Sequence, residues 1–334
     1  MAHTPVARQP LRSSSPAHLE SGTVLEWKGP SLVSTILPDL SSLPELRRRN
    51  TLHQDLVHHA EQPTGSPRSS IWIDLVENLR RDGGRHLSQV WACRARGLGH
   101  ERGHKVVLKL YVDSLRPRVE PDPMGLVKPE QVEKNNGWYP SSELIKSEVT
   151  AYKTLRRLEG NEIPYCYGLY TFKLSNGEVC RGFVLEDLSD RTHSIETLLE
   201  HHKNSSTPLD LGQFKALMAA TMEVQESLLD HSISVVHRSL SDLLVVETPS
   251  TGSLSVVTLG FGHAQHRGLV EAELAETNKR NRAKGKPLKS WDDSAKDALV
   301  ALFATELGDS KVRKEWKATH EASKQHHNGG VSIV

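Results

Sequence analysis

Cysteine is scarce in this sequence, and so is any imbalance of charge. Three cysteines, Cys93, Cys166 and Cys180, are too few and too scattered for a disulfide framework, and no Cys-x-x-Cys pair is present to hold zinc. A reducing, intracellular compartment, cytoplasmic or nuclear, is the expectation. Lys and Arg number 42 against 41 Asp and Glu, a formal charge of +1, so no global field draws nucleic acid or an anionic membrane. No apolar stretch approaches the roughly 20 residues needed to span a bilayer. The first 20 residues also lack the apolar core of a secretory signal. No internal repeat is found. What is present is a chain of 334 residues, 37% hydrophobic and 25% charged, enough for one large packed domain with tails or two modest domains.

Order is expected to be uneven along the chain. Residues 1–69 read as a disordered or loosely structured extension: Ser13-Ser14-Ser15-Pro16 is low in complexity, and Gln62-Pro63-Thr64-Gly65-Ser66-Pro67 is a breaker cluster that ends it. Between them, Leu37 to Leu56 can hold one short helix with no obvious partner. From Ile71 the pattern changes. Ile71–Leu75, Val90–Ala92 and Val106–Val112 are rich in β-branched and aromatic residues and predict three strands, with a turn at Asp82-Gly83-Gly84. Pro117, Pro121, Pro123, Pro129 and Pro140 then predict a long loop. A helix follows, capped by Ser141 or Ser142, with Leu144, Val149, Tyr152, Leu155 and Leu158 at roughly helical spacing and an end at Gly160. Strands over Cys166–Leu174 and Gly182–Leu188 flank the turn Ser175-Asn176-Gly177.

The rest reads as mainly helical. Thr192–His201 is one helix; Asp210–His231 is the longest, with an apolar stripe of Phe214, Leu217, Met218, Thr221, Val224 and Leu228. Two short strands, Leu243–Glu247 and Leu254–Leu259, precede a charged segment over Glu271–Lys289 and a closing amphipathic helix over Trp291–Leu307. Residues 308–334 form a polar tail whose His320, His326 and His327 read as solvated rather than as a metal site. Strands first, with one helix among them, and helices after predict an α+β fold: a small antiparallel β-lobe and a mainly helical lobe with a cleft between.

Short segments within this pattern stand in a fixed order. They are Val106-Val107-Leu108-Lys109; Ser147-Glu148 running into Ala151-Tyr152-x-x-Leu155; Ile163-Pro164-x-x-Tyr167-Gly168; Gly182–Leu188; Val235-Val236-His237-Arg238-Ser239-Leu240-Ser241-Asp242-Leu243-Leu244; and Leu259-Gly260-Phe261-Gly262. Together they resemble the protein-kinase superfamily, and more closely the divergent kinase-like proteins abundant in mushroom-forming fungi. The resemblance covers roughly residues 71–307. It implies a bilobal kinase-like domain over 70–307, with 70–188 as the small lobe and hinge and 189–307 as a shortened helical lobe.

The resemblance also implies roles. Lys109 would aim its ammonium at nucleotide phosphates, and Glu148 would pair with it. Leu185 would be the gatekeeper, with Glu186 and Leu188 in the hinge beside an adenine edge. His237 and Arg238 are retained from the catalytic loop. Gly83 and Val90 keep two positions of the glycine-rich loop, while Arg85 and Ser88 replace its other glycines and hinder the close approach of backbone to phosphate.

Where the chemistry happens, the sequence departs from the family. Ser239 stands at the aspartate that accepts the substrate's proton, Leu244 at the asparagine that binds a magnesium ion, and Gly260 at the metal-binding aspartate. A serine hydroxyl is far too weak a base near pH 7, and a positioned base contributes roughly 10²- to 10⁴-fold. Neither leucine nor glycine offers a ligand oxygen from its side chain. Asp242, three residues after Ser239, reads as a loop aspartate capping a turn. No Ala-Pro-Glu signature follows, which leaves peptide-substrate docking without its usual support.

The expectation is therefore a pseudokinase with no intact catalytic residue and no metal site, acting as a scaffold or allosteric partner of another protein rather than on nucleic acid or membrane. ATP is the one cofactor the resemblance admits; magnesium is not expected. Two alternatives stand beside it. An active atypical ATP-dependent protein kinase is favoured by Lys109 and Glu148 and opposed by Ser239, Leu244 and Gly260. A decaying kinase duplicate without selected activity is the other. The basic run Lys279, Arg280, Arg282, Lys284, Lys286 and Lys289, just after Glu271, Glu273 and Glu276, reads as a solvated charged segment.

Overall fold

The computed structural model describes residues 19–27, 71–79, 88–97, 103–115, 140–189, 192–204, 211–235, 239–248, 253–285, 290 and 303. They form a mixed α+β structure that divides into two compact units. Of the described residues, the first unit takes those up to 141 and those from 169 to 184; the second takes 142–168 and those from 185 onward.

The first unit is built on a sheet of β1 (Val24–Trp27), β2 (Ile71–Asn78), β3 (Gln89–Arg96), β4 (His104–Tyr111), β5 (Cys166–Lys173, from residue 169 on) and β6 (Val179–Glu186, up to residue 184), in spatial order β1-β2-β3-β4-β6-β5. Strands β1 to β4 pair antiparallel, with Leu75 opposite Cys93 and Cys93 opposite Val106. Successive side chains of a strand point to opposite faces, and burial follows that rule. Ile71, Ile73 and Leu75 are buried while Trp72 and Val76 are exposed; Trp91, Cys93 and Ala95, then Val106, Leu108 and Leu110, continue the buried face. The turn predicted at Ser175-Asn176-Gly177 closes the β5–β6 hairpin, with the Leu174 N–H donating to Glu178 O and the Gly177 N–H to Leu174 O. Strand β6 starts at Val179 and stops at Glu186, so Leu188 lies beyond the strand predicted to contain it.

Strand β1 falls within the segment expected to be loosely structured. It pairs with β2 through Leu25 opposite Ile73, and Leu25 is buried while Val24 is exposed. Four residues are too short a run to stand out from composition; pairing and one buried leucine hold them.

The second unit holds α1 (Ser141–Thr154, from residue 142 on), α2 (Ile195–Asn204), α3 (Leu211–Asp230) and α4 (Arg267–Ala283). It also holds a sheet of β7 (Thr192–Ser194), β9 (Leu243–Thr248) and β10 (Ser253–Thr258) in order β10-β9-β7, and a pair of β8 (Ile233–Val235) with β11 (Ala264–His266). All six stripe residues of α3 are buried. Phe214, Leu217, Met218 and Val224 pack with Ile195, Leu199, Leu243, Val245 and Val256, and Phe214 meets Phe303 edge to face at 6.0 Å. Each fully buried leucine or phenylalanine contributes about 1.5–3 kcal/mol. The buried Thr221 hydroxyl is satisfied within the helix by Leu217 O at 2.8 Å.

Two sequence expectations shift here. The helix predicted from Thr192 begins at Ile195, because Thr192–Ser194 pair with Val246–Leu244 of β9 as a strand. Ser194 then caps α2, accepting from the Thr197 N–H at 3.1 Å. The charged segment from Glu271 is part of a helix that starts at Arg267. The helix predicted over Trp291–Leu307 lies outside the described residues apart from Phe303, which is helical and fully buried. Among the described residues no helix is long and apolar enough to cross a membrane.

Candidate functional site

Antiparallel pairing of β9 with β10, from Leu243 opposite Thr258 to Thr248 opposite Ser253, brings the residues just before β9 beside those just after β10. Ser239 is the N-cap of a single tight turn, Leu240–Asp242. Its hydroxyl oxygen accepts from the Ser241 N–H at 3.3 Å and from the Ser241 hydroxyl at 2.8 Å. The Asp242 carboxylate accepts in return from the Ser239 N–H at 3.5 Å, completing a reciprocal capping box. The Asp242 carbonyl accepts from the Leu259 N–H at 2.7 Å, which ties the turn to the end of β10.

Gly260 follows, with φ +79° and ψ 52°. This is the left-handed region, which costs a residue with a Cβ roughly 1–2 kcal/mol. A Cβ added to Gly260 would lie 3.0 Å from Asp242 Cγ and 3.1 and 3.2 Å from its two carboxylate oxygens. The half-buried Asp242 carboxylate therefore fills the space where a side chain at 260 would begin.

Helix α1 anchors the chain that follows. Phe261 is fully buried and packs edge to face against Tyr152 at 5.3 Å. The Ser147 hydroxyl donates to the Ala264 carbonyl. Glu148, next to Ser147, is fully buried at 0% exposure.

Leu244 stands one residue inside β9, opposite Val257 and Ser194. It is half-buried, on the strand face opposite the buried Leu243 and Val245. A ladder position, not a loop position, thus falls at the residue matched to the asparagine. Ser239, Asp242 and Gly260 are brought together; Leu244 is held apart from them by the strand. Among the described residues no group of three or more His, Cys, Asp or Glu side chains could hold a metal ion.

The hinge candidates also have structural duties. Leu185 is buried. Glu186 is buried as well: its carboxylate accepts from the Tyr165 N–H at 3.1 Å, and its own N–H donates to Tyr165 O at 2.9 Å. Leu188 is half-buried, with its carbonyl accepting from the Thr192 hydroxyl at 2.7 Å.

In the first unit, Lys109 of β4 is buried opposite Val90, with Nζ 5.5 Å from the centre of the Tyr111 ring. That geometry is a cation–π contact. Lys109 belongs to the first unit and Glu148 to the second. Gly83, His237 and Arg238 lie outside the described residues.

Sequence reasoning passed over a group of carboxylates in the second unit. Glu159 is buried, and that burial pushes its pKa up to about 8; the Cys166 N–H and Arg156 oppose the rise and Glu186 adds to it. Burial also raises the pKa of Glu162, against the Ser227 hydrogen bond and His231 and with Glu223. The Glu162 carbonyl accepts from the Thr258 N–H at 2.8 Å, two residues before Gly260. No local signal marks these residues, because a carboxylate's burial is set by packing from distant parts of the chain.

Comparison with protein-family models finds no match for the chain, and comparison with curated proteins finds none.

Proposed function

We propose that this chain is a protein-kinase-like domain of bilobal architecture that has lost phosphoryl transfer and acts by binding another protein. The ordered segments from Lys109 to Gly262 support the kinase-like reading. The observation that carries the loss of chemistry is the Asp242 carboxylate lying where a side chain at Gly260 would begin.

Phosphoryl transfer depends mainly on positioning and on magnesium neutralising the phosphates. The residue matched to the metal-binding aspartate has no side chain, and the space beside its Cα is taken. Ser239, matched to the base, has its oxygen engaged by two donors from Ser241 and serves as a cap. Lys109 retains a buried cation that can meet a nucleotide phosphate, so weak nucleotide binding without metal belongs to this reading. Asp242, the one carboxylate of this turn, already serves as the acceptor of the Ser239 N–H.

Thermal unfolding with and without millimolar ATP, each with and without magnesium, tests the proposal. Ligand at about 100 times its Kd adds about 2.7 kcal/mol, or on the order of 5–10 °C for a domain of this size. Any rise given by ATP is expected to be the same with and without magnesium, and to vanish in Lys109→Ala. A magnesium-dependent rise accompanied by phosphate transfer would overturn the reading.

A further inference from the structure

The turn from Glu159 to Cys166, in the second unit, is held by two carboxylates on neighbouring amides. Glu186, at the end of β6, accepts from the Tyr165 N–H at 3.1 Å and returns its own N–H to the Tyr165 carbonyl at 2.9 Å. Glu159 accepts from the next amide along, the Cys166 N–H, at 3.5 Å. Both acids are buried, at 6% and 9% exposure. Within the turn the Gly160 N–H donates to the Ile163 carbonyl at 2.9 Å, and Gly160 backs directly onto the Tyr165 ring. Backbone bonds close the neck of the turn, and the two side chains close its exit.

The two acids are not held alike. A hydrogen bond from an amide to oxygen usually spans roughly 2.7–3.2 Å. The Glu186 bond falls in that range. The Glu159 bond lies beyond it, and it is the one hydrogen bond that the Glu159 carboxylate makes among the described residues. A charge so weakly held bears most of the cost of leaving water. Of the charged groups around it, Arg156 on its own turn favours the ionised form and Glu186 on β6 opposes it, and burial outweighs Arg156. The Cys166 thiol on β5 feels both Glu159 and Glu148 of α1, so this neighbourhood is crowded with acids.

We infer that Glu159 is a proton-operated latch: with its proton in place the turn stays closed on Glu186, and with the proton gone the carboxylate seeks water and the backbone from Glu159 to Cys166 opens locally. Opening releases the Tyr165 amide and carbonyl from Glu186, and so loosens the residues that follow β6, Asp187–Ser189. The Cys166 side chain is not the group released, because the neighbouring β5 residues Tyr167, Leu169 and Phe172 keep it packed. The closed turn titrates at about 8 and an opened one near the ordinary 4.5. The opening equilibrium therefore grows with pH between those values, by at most about tenfold per pH unit, and levels off above them. The latch needs no nucleotide and stands apart from the kinase-like reading.

The test is amide hydrogen exchange of the full chain, read by NMR at Tyr165, Cys166 and Glu186 from about pH 5.5 to about pH 7.5 and corrected for the intrinsic rate at each pH. Amides of α3 from Leu217 to Leu228 serve as the reference for global unfolding. The three latch amides are expected to be at least about tenfold less protected than those of α3, and to lose about tenfold or more of their protection across the range, with about 100-fold as the ceiling. Glu159→Gln keeps an oxygen for the Cys166 N–H and cannot titrate, so its protection should change by less than about twofold. Glu162→Gln removes the other raised carboxyl of the turn, which faces Ser227, His231 and Glu223, and should keep most of the parent's slope. Exchange of the three amides in step with α3 would show that the proton acts on global unfolding alone and would overturn the latch. So would an undiminished slope in Glu159→Gln, or a slope lost in Glu162→Gln instead.

Discussion

The carboxylate of Asp242 lies against the bare Cα of Gly260, so close that a Cβ there would sit 3.0 Å from Asp242 Cγ. An acidic side chain placed at 260 therefore meets a carboxylate already in place. Gly260→Asp is expected to lower stability by about 2–4 kcal/mol, from the left-handed backbone, the crowding and the like charge. It should give no magnesium-dependent phosphate transfer. In the Asp242→Gly background the same substitution should cost clearly less, a non-additivity that thermal unfolding of the four proteins measures.

Gly160 is constrained in the same way by an aromatic ring. Its φ is +81°, and a Cβ would lie 2.4 Å from both Cζ and the hydroxyl oxygen of Tyr165. Gly160→Ala is expected to cost about 3 kcal/mol or more, lowering Tm by roughly 10 °C. Tyr165→Phe should not rescue it, since the ring carbon itself is in the way; Tyr165→Ala in the same chain should recover part of the difference between the two glycine-160 backgrounds.

Glu159 makes stability fall as pH rises. Its folded pKa, about 8, stands above the ordinary 4.5, so between those values the folded chain holds a proton that the unfolded chain releases. The stabilising contribution is complete below about pH 4.5 and is lost as pH climbs through 8, by at most about 1.4 kcal/mol per pH unit. Glu159→Gln keeps an oxygen for the Cys166 N–H and removes the titration. Its Tm relative to the parent chain should rise steadily from pH 5 to pH 8. Glu162, shifted in the same direction, should leave a smaller slope in the variant.

The three thiols should be silent in the native state. Cys93, Cys166 and Cys180 are buried thiols. Burial pushes Cys180 up to about 12 and Cys166 well above its usual value. The thiolate is the reactive species, so a colorimetric thiol reagent at pH 8 should react only as the chain unfolds, at the unfolding rate. Rapid labelling of any one of them in folded protein would contradict this burial.

Much of the fold is legible in residues whose partners repeat on a fixed period. The β2–β4 strands and the stripe from Phe214 to Leu228 are read from alternation and helical spacing, and the buried faces match them. The turn from Ser239 to Asp242 is legible as well, since serine followed by aspartate three residues later is a local capping signal. What escapes is set by distant contacts. Thr192–Ser194 look like the start of a helix until β9 pairs with them. Glu159 and Glu186 give no sign of burial, because what covers each is the chain around Tyr165 and Cys166.

Strand β1 has a consequence for how molecules meet one another. With β1 in place, the inner neighbour β2 is paired along both edges over Trp72–Asp74. Remove Val24–Trp27 and β2 would present an open row of backbone donors and acceptors, bordered by Trp72 at 41% and Val76 at 45% exposure. An open edge of that kind templates the strand of a neighbouring molecule. A chain begun at residue 70 should accordingly self-associate through β2, and the four residues that composition gave no reason to notice act as the stopper that keeps one sheet from growing into the next.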